Sequence, residues 1–157
     1  MKRFILLLAL ASASLSGVAH AQQNQPLMFG GSVGIMKPHG NNNGNGVNIG
    51  GRISRNLQDN IYWEADVNLG LVDGELDTQR DWSVNSLAGY AVYRTDGPTH
   101  LKAKLGVALW DDDFDSDTSL SAGIGIGFRM GVGILDVEYT QINSYIDYVT
   151  VGYSMPF

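Results

Sequence analysis

The sequence predicts an all-β fold: an eight-stranded antiparallel up-and-down transmembrane β-barrel, preceded by a cleaved signal peptide. Two observations lead to this prediction. Apolar and polar residues alternate with a period of two in eight segments of about ten residues, the length of a tilted strand that crosses a membrane. An export signal precedes the first of these segments.

The export signal is assigned to residues 1–21. The alternative is a membrane-anchoring helix, but the apolar part is much shorter than the roughly 20 residues that cross a bilayer. We therefore expect residues 22–157 to form one barrel domain after cleavage. The signal has a basic start, an apolar stretch and an A-x-A cleavage site: Lys2 and Arg3, residues 4–11, and Ala19-His20-Ala21.

The composition limits the classes of function. The chain has 10 basic and 16 acidic residues, and removal of the signal takes away two basic residues and no acidic one. This acidic balance argues against nucleic acid as a partner. The chain contains no cysteine, so we expect neither disulfides nor a lipid-anchoring cysteine.

The alternation is clearest in residues 61–71, where two faces separate completely. Residues 100–109 separate a leucine and valine face from one that bears both lysines, and residues 120–129 place glycine on the polar face. The remaining strands are expected at residues 27–36, 47–57, 82–94, 135–141 and 145–157. In residues 61–71 the apolar face is Ile61, Trp63, Ala65, Val67, Leu69 and Leu71, and the polar face is Tyr62, Glu64, Asp66, Asn68 and Gly70.

The connections between these strands alternate in length. Long polar loops are expected at residues 39–46, 73–81 and 111–119, and short turns at residues 58–60, 95–98 and 131–132. Membrane barrels carry long loops outside and short turns in the periplasm. Both termini should therefore lie on the periplasmic side.

Period-two alternation also occurs in soluble ligand-binding barrels, so three further features favour a membrane barrel: the small residues of the polar face, the positions of the aromatics, and the last strand. Small residues crowd the polar face, as expected inside a narrow barrel: Gly30, Ser32, Gly34, Ser121, Gly123, Gly125 and Gly127. The apolar-face aromatics collect near strand ends like the two girdles of a membrane barrel, although strands also favour aromatics anywhere. We assign Phe29, Trp63, Tyr90, Phe128, Tyr153 and Phe157 to the periplasmic girdle, and Trp82 and Tyr139 to the outer one.

The last strand ends on an aromatic residue and is apolar at every second position, including Tyr153, Met155 and Phe157. Here the chain resembles outer-membrane β-barrel proteins of Gram-negative bacteria, although the penultimate Pro156 departs from their usual pattern. The resemblance spans residues 22–157 and is closest to the small barrels of the outer membrane protein X and adhesin/invasin class. It implies a location in the outer membrane, contact with its lipid and lipopolysaccharide, and an assembly signal at these three residues for the barrel-assembly machinery.

Eight charged residues are assigned to the inward face: Arg52, Lys102, Lys104 and Arg129 against Glu64, Asp66, Asp136 and Glu138. A turn at residues 58–60 would place Arg52 opposite Asp66 and Ser54 opposite Glu64, and Arg129 should come level or diagonal with Asp136. Buried charges need partners, so we interpret the set as a salt-bridged plug. The alternative is the charged lining of a pore, for which eight strands leave little room.

Other motifs give no site. Residues 111–117 alternate oxygen ligands, but Ser116 and Ala122 replace the glycine and glutamate of an EF-hand, so a solvated acidic loop is favoured over divalent cation bridging to lipopolysaccharide. The glycines of residues 123–127 lack the third glycine and the helix of a nucleotide fingerprint. We expect no metal or cofactor.

The histidines of the mature chain, His39 and His100, do not suggest catalysis. His39 follows a strand in a loop of asparagine and glycine, which is not expected to hold the side chain in a fixed position. His100 is expected to face inward near the periplasm. We therefore expect a non-enzymatic protein with a structural or surface-interaction role through its outer loops, with an extracellular ligand that the sequence leaves open. The alternatives are a narrow channel for small solutes and, third, a lipid-modifying enzyme.

Overall fold

The structure, a computed structural model, describes residues 26–39, 44–75, 81–112 and 116–157. They form a closed antiparallel barrel in which consecutive strands pair and the first pairs with the last. The expected signal peptide lies outside the described residues. The strands are β1 (Met28–Pro38), β2 (Gly46–Gln58), β3 (Ile61–Val72), β4 (Val84–Arg94), β5 (Thr99–Asp112), β6 (Ser116–Met130), β7 (Gly133–Asn143) and β8 (Ile146–Pro156).

The eight predicted strands are confirmed, but one predicted loop is largely wrong. Strands β5 and β6 continue through much of residues 111–119 and pair as far as Asp111 opposite Ser116. This stretch is polar on both faces, so the period-two contrast vanishes although the backbone ladder continues. Within the predicted loop 73–81, a short ladder also pairs Gly74–Glu75 with Asp81–Trp82.

The outer surface of the barrel is apolar because the alternation turns large hydrophobic side chains outward. Val67 and Leu69 on β3, Leu105 on β5 and Ile124 on β6 are exposed, whereas the polar residues between them are buried. No helix among the described residues has the length and hydropathy needed to cross a membrane.

The interior has two layers. Toward the end with the long loops it is apolar, and from mid-height to the end with the termini it is charged. The apolar layer contains Met36, Trp82, Val84, Ala108, Ile142, Ile146 and Tyr148.

Two aromatic assignments are wrong: Trp82 and Tyr90 belong to the interior, not to the outer girdles. Both are buried, and the Tyr90 hydroxyl lies 2.9 Å from Ser121 Oγ. Strand β4 carries small or apolar residues on both faces, so its alternation could not tell inside from outside. The neighbouring strands decide, because pairing with β3 places Tyr90 opposite the buried Glu64.

The predicted assembly signal lies where the barrel closes. The rings of Phe157 and Phe29 meet edge to face, with centroids 5.5 Å apart and an interplanar angle of 76°. The Phe157 amide donates to the Leu27 carbonyl at 2.8 Å, and the Tyr153 hydroxyl donates to the Met130 carbonyl at 3.1 Å. These contacts join β8 to the start of β1 and to the end of β6.

Candidate functional site: the charged interior

Of the eight residues predicted to form the interior charge network, seven point into the barrel and are buried: Arg52, Glu64, Asp66, Lys102, Lys104, Asp136 and Glu138. Arg129 does not belong to the network, because it is exposed. Although Arg129 shares the parity of the inward glycines of β6, it sits one residue before the end of that strand. There its amide donates to the Pro98 carbonyl at 2.7 Å and the barrel no longer encloses its side chain.

Arg52 is the centre of the network. The predicted register is confirmed, with Arg52 opposite Asp66 and Ser54 opposite Glu64. Arg52 Nε lies 2.8 Å from Asp66 Oδ1 and 3.2 Å from Glu64 Oε1. Its Nη1 and Nη2 both donate to Glu138, the latter at 3.0 Å. One guanidinium therefore links carboxylates from two strands, β3 and β7, on opposite sides of the lumen.

The two lysines of β5 complete this link. Lys102 Nζ lies 2.6 Å from Glu64 Oε2 and 2.7 Å from Glu138 Oε1. Lys104 Nζ lies 3.0 Å from Asp66 and 2.9 Å from Glu138, and it stands 4.4 Å from the centroid of the Tyr90 ring. Lys104 Nζ also lies 3.8 Å from Glu64 Oε1, so each ammonium has at least two carboxylate partners, which offset the cost of burying its charge.

Arg94 is the residue that the sequence analysis missed. Its Nη2 lies 3.2 Å from Glu64 Oε2, and its guanidinium carbon stands 4.6 Å from the centroid of the Tyr62 ring. Arg94 lies four positions after Tyr90 and therefore on the same face of β4. Because Tyr90 was assigned to the outer face, Arg94 was not predicted to face the lumen. With Arg94 in the place of Arg129, the buried network still balances four basic against four acidic side chains.

A row of glycines on β6 makes these contacts possible. Each glycine lies between a long basic or aromatic side chain of β5 and a polar side chain of β7. A Cβ on Gly125 would lie 2.8 Å from Glu138 Cγ, and one on Gly123 would lie 2.9 Å from Lys104 Cε. The three crossings are Lys104–Gly123–Thr140, Lys102–Gly125–Glu138 and His100–Gly127–Asp136.

A small cavity lies between the charged and the apolar layers. Its water-accessible volume is about 10 Å³, which is the least that one water molecule requires. It is lined by Ser32, Arg52, Asp66, Asn68, Tyr90, Lys104, Thr140, Ile142, Tyr148 and Thr150.

Comparison with known proteins places the chain in a family. Residues 5–154 match the model of the outer membrane protein beta-barrel domain. The chain belongs to this outer-membrane β-barrel family. No curated protein sequence matches it.

Solved structures with this fold include proteins with different descriptions. The barrel resembles the Neisserial surface protein NspA with a TM-score of 0.67 at 13% identity, covering 86% of this chain and 100% of that one. It resembles the outer membrane protein Ail of Yersinia pestis with a TM-score of 0.54 at 15% identity, covering 83% and 99% of the two chains. The outer membrane enzyme PagL gives a TM-score of 0.53 at 15% identity, with the same coverage. At these identities the likeness shows the fold alone.

In this outer-membrane barrel the carboxylates of Glu64, Asp66 and Glu138 come close enough for a metal ion, with oxygens within 4.8 Å of one another. The side chains of Arg52, Lys102 and Lys104 occupy the space between them and neutralise their charge. The cluster is therefore arranged as an ion-pair network.

The two histidines of this outer-membrane barrel lie at opposite ends. His100 is buried, as predicted, with Nε2 3.6 Å from Asp136 Oδ1. The expectation that His39 has no fixed position is wrong. His39 Nε2 lies 2.8 Å from Asp147 Oδ2, and the His39 amide donates to the Tyr145 carbonyl at 2.7 Å. The contact was hidden in the sequence because the two partners are 108 residues apart.

Proposed function

We propose that this protein is a non-enzymatic barrel whose lumen is closed and whose outer surface meets other molecules. The observation that carries the proposal is the filled interior, in which four buried ion-paired cations cross the lumen beneath an apolar layer. A permeating ion would have to break several contacts of 2.6–3.0 Å and then cross a layer that is lined mainly by apolar side chains. A closed lumen leaves the outer surface for function.

Conductance in planar bilayers tests the closed lumen. We expect no steady conductance from the wild-type protein between pH 6 and 8, because no ion pair in the network is solvent-exposed. A variant with Lys102→Ala and Glu138→Ala removes one cation and one anion together and serves as the opened control. Stable unitary current steps from the wild-type protein would refute the closed lumen and favour the narrow channel.

The β5–β6 hairpin supports a surface-interaction role. Strand β6 starts at Ser116, but its pairing with β7 starts only at Ala122. Residues 117, 118 and 120 form no ladder with β7 among the described residues, whereas Ser119 Oγ donates to the Ile142 carbonyl at 2.6 Å. Unpaired strand edges can accept another extended chain through main-chain hydrogen bonds. The resemblance to Ail, whose name stands for attachment invasion locus, agrees with such a role.

Adhesion of cells that display the protein tests this role. The hairpin variant replaces residues 111–116 with a two-residue Asn-Gly turn, which keeps Trp110 opposite Asp117. Its control replaces residues 40–43 in the first outer loop. We expect the hairpin variant to lose adhesion to protein-coated surfaces while the control keeps it. Equal adhesion with and without the protein in the membrane would refute the role.

The non-enzymatic part of the proposal has its own test. PagL shows that this fold also occurs in an enzyme of the outer membrane. We expect the lipid A mass spectrum of a deletion strain to equal that of its parent. A change in the number of acyl chains that the wild-type gene restores would instead make this protein a lipid-modifying enzyme.

A further inference from the structure

We infer that the small cavity between the charged and the apolar layers is a binding site for one long-lived water molecule. This water links β1 and β8, the two strands that close the barrel, to the charge network of the interior. The inference goes beyond the proposed function, because it concerns the inside of the barrel and does not depend on what the outer surface contacts.

The charge network leaves out the two strands that close the barrel. Its ion pairs join side chains of β2, β3, β4, β5 and β7, and none that the structure describes includes a residue of β1 or β8. These strands reach the cavity with uncharged hydroxyl groups, Ser32 from β1 and Tyr148 and Thr150 from β8. A small molecule that binds hydrogen-bond donors and acceptors in the cavity would connect them to the network.

The Tyr148 hydroxyl is the group with the clearest need for such a partner. Tyr148 is 2% exposed, and its hydroxyl makes no hydrogen bond with the described residues, although Ser86 lies near it. Among the residues that line the cavity, Tyr148 is the one whose side chain has a fully buried polar atom without such a bond. A buried hydroxyl without a partner is costly, and a hydrogen bond to a molecule in the cavity removes that cost.

The size and the lining of the cavity select water as this molecule. The volume of about 10 Å³ accommodates one water molecule and no larger ligand. Nine of the ten lining residues have polar side chains, and Ile142 is the exception. A small cation would be repelled by Arg52 and Lys104, which line the same cavity. Water is neutral and both donates and accepts, so it can accept from Tyr148 and donate to the Asp66 carboxylate.

The position of the cavity should make this water slow to exchange. Ion-paired side chains lie on one side of it and the apolar layer lies on the other. A buried water usually makes about three hydrogen bonds and is costly to remove. Release of the water therefore requires side chains of one of the two layers to move apart.

Magnetic relaxation dispersion of water oxygen nuclei tests the site in detergent micelles. The method detects long-lived bound water and is not affected by proton exchange of hydroxyl groups. Ser32→Val would place methyl groups in the cavity, so we expect the wild-type protein to hold one more long-lived water than this variant. Val33→Leu is the matched control, because Val33 is the next residue but is exposed on the lipid side. It should hold as many as the wild-type protein.

Tyr148→Phe gives a second readout that does not require the cavity to be filled. We expect it to lower the urea midpoint by about 0.5 M, the effect of losing one hydrogen bond. If the cavity is dry, the same change removes a hydroxyl without a partner, and the midpoint should rise instead.

Two results would overturn the site. One is an equal number of long-lived waters in the wild-type protein and in Ser32→Val, and the other is a higher urea midpoint in Tyr148→Phe. Heat-modifiable migration on detergent gels checks that each variant is folded. Neither readout measures conductance or adhesion, so the water site and the proposed function fail separately.

Discussion

Neutralising Glu64 should destabilise the barrel more than neutralising Asp66, although both changes remove one negative charge from the same network. Glu64 contacts Arg94 at 3.2 Å and Lys102 at 2.6 Å. In Glu64→Gln, Lys102 keeps Glu138 as a partner, whereas Arg94 keeps no carboxylate among the described residues. One buried cation is therefore orphaned.

Asp66→Asn orphans no cation. Its partners are Arg52 and Lys104, and both retain Glu138. Orphaning a buried charge costs about 3–5 kcal/mol, and weakening charge-assisted hydrogen bonds costs about 1–3 kcal/mol. We expect Glu64→Gln to lower the free energy of unfolding by about 2 kcal/mol more than Asp66→Asn. Both changes weaken contacts with Arg52 and Lys104, so the difference reports the additional partners of Glu64, which are Arg94 and Lys102.

Urea unfolding in lipid vesicles, followed by tryptophan fluorescence, measures this difference. A loss of about 4 kcal/mol shifts the midpoint by roughly 2 M if the slope is about 2 kcal/mol per M. Adding Arg94→Gln to Glu64→Gln should restore part of the loss, because the orphaned cation is removed. Val67→Leu, next to Asp66 but on the lipid side, is the control and should change stability by less than about 0.5 kcal/mol. Equal midpoints for Glu64→Gln and Asp66→Asn would refute the reasoning.

Two further predictions concern packing and assembly. Gly125→Ala should lower the urea midpoint, because the added Cβ would lie 2.8 Å from Glu138 Cγ. Gly31→Ala is the control and should leave the midpoint unchanged, because its Cβ would approach no atom closer than 3.8 Å. Equal midpoints for the two variants would contradict the role of the glycine row. Deleting Phe157 removes its ring contact with Phe29 and the proposed assembly signal. We expect little heat-modifiable protein in cell envelopes, and a wild-type amount would exclude this signal.

The sequence predicted the parts of the fold that depend on contrast between two faces. Strand β3 alternates charged with large apolar residues, so its orientation and the pairing of Arg52 with Asp66 followed directly. Strand β4 lacks this contrast, and the error on its face displaced Tyr90, Trp82 and Arg94 together. A single misjudged orientation reverses every side chain of a strand.

Other features depend on where a strand ends and on distant partners. Arg129 lies on the inward face of β6 by its position in the alternation, but it is at the rim of the barrel. The alternation of a strand does not indicate how far the barrel wall extends. The predicted partner of Arg52 was Asp66 alone, because the prediction used only the pairing of β2 with β3. In the closed barrel Arg52 also reaches Glu138, which lies 86 residues away. Contacts across the lumen exist only after closure.

The glycine row of β6 limits which substitutions the interior of the barrel can tolerate. The number and stagger of the strands fix the width of the lumen, so inward side chains that are neighbours across strands share a limited space. One row of such neighbours runs through Arg94, Lys102, Gly125, Glu138, Thr150 and Gly34 in successive strands. A larger residue at one position is compatible with the barrel only if a neighbour in the same row becomes smaller. Substitutions should therefore be tolerated in compensating pairs within a row, and a glycine must be present before long charged residues on both sides of it can meet.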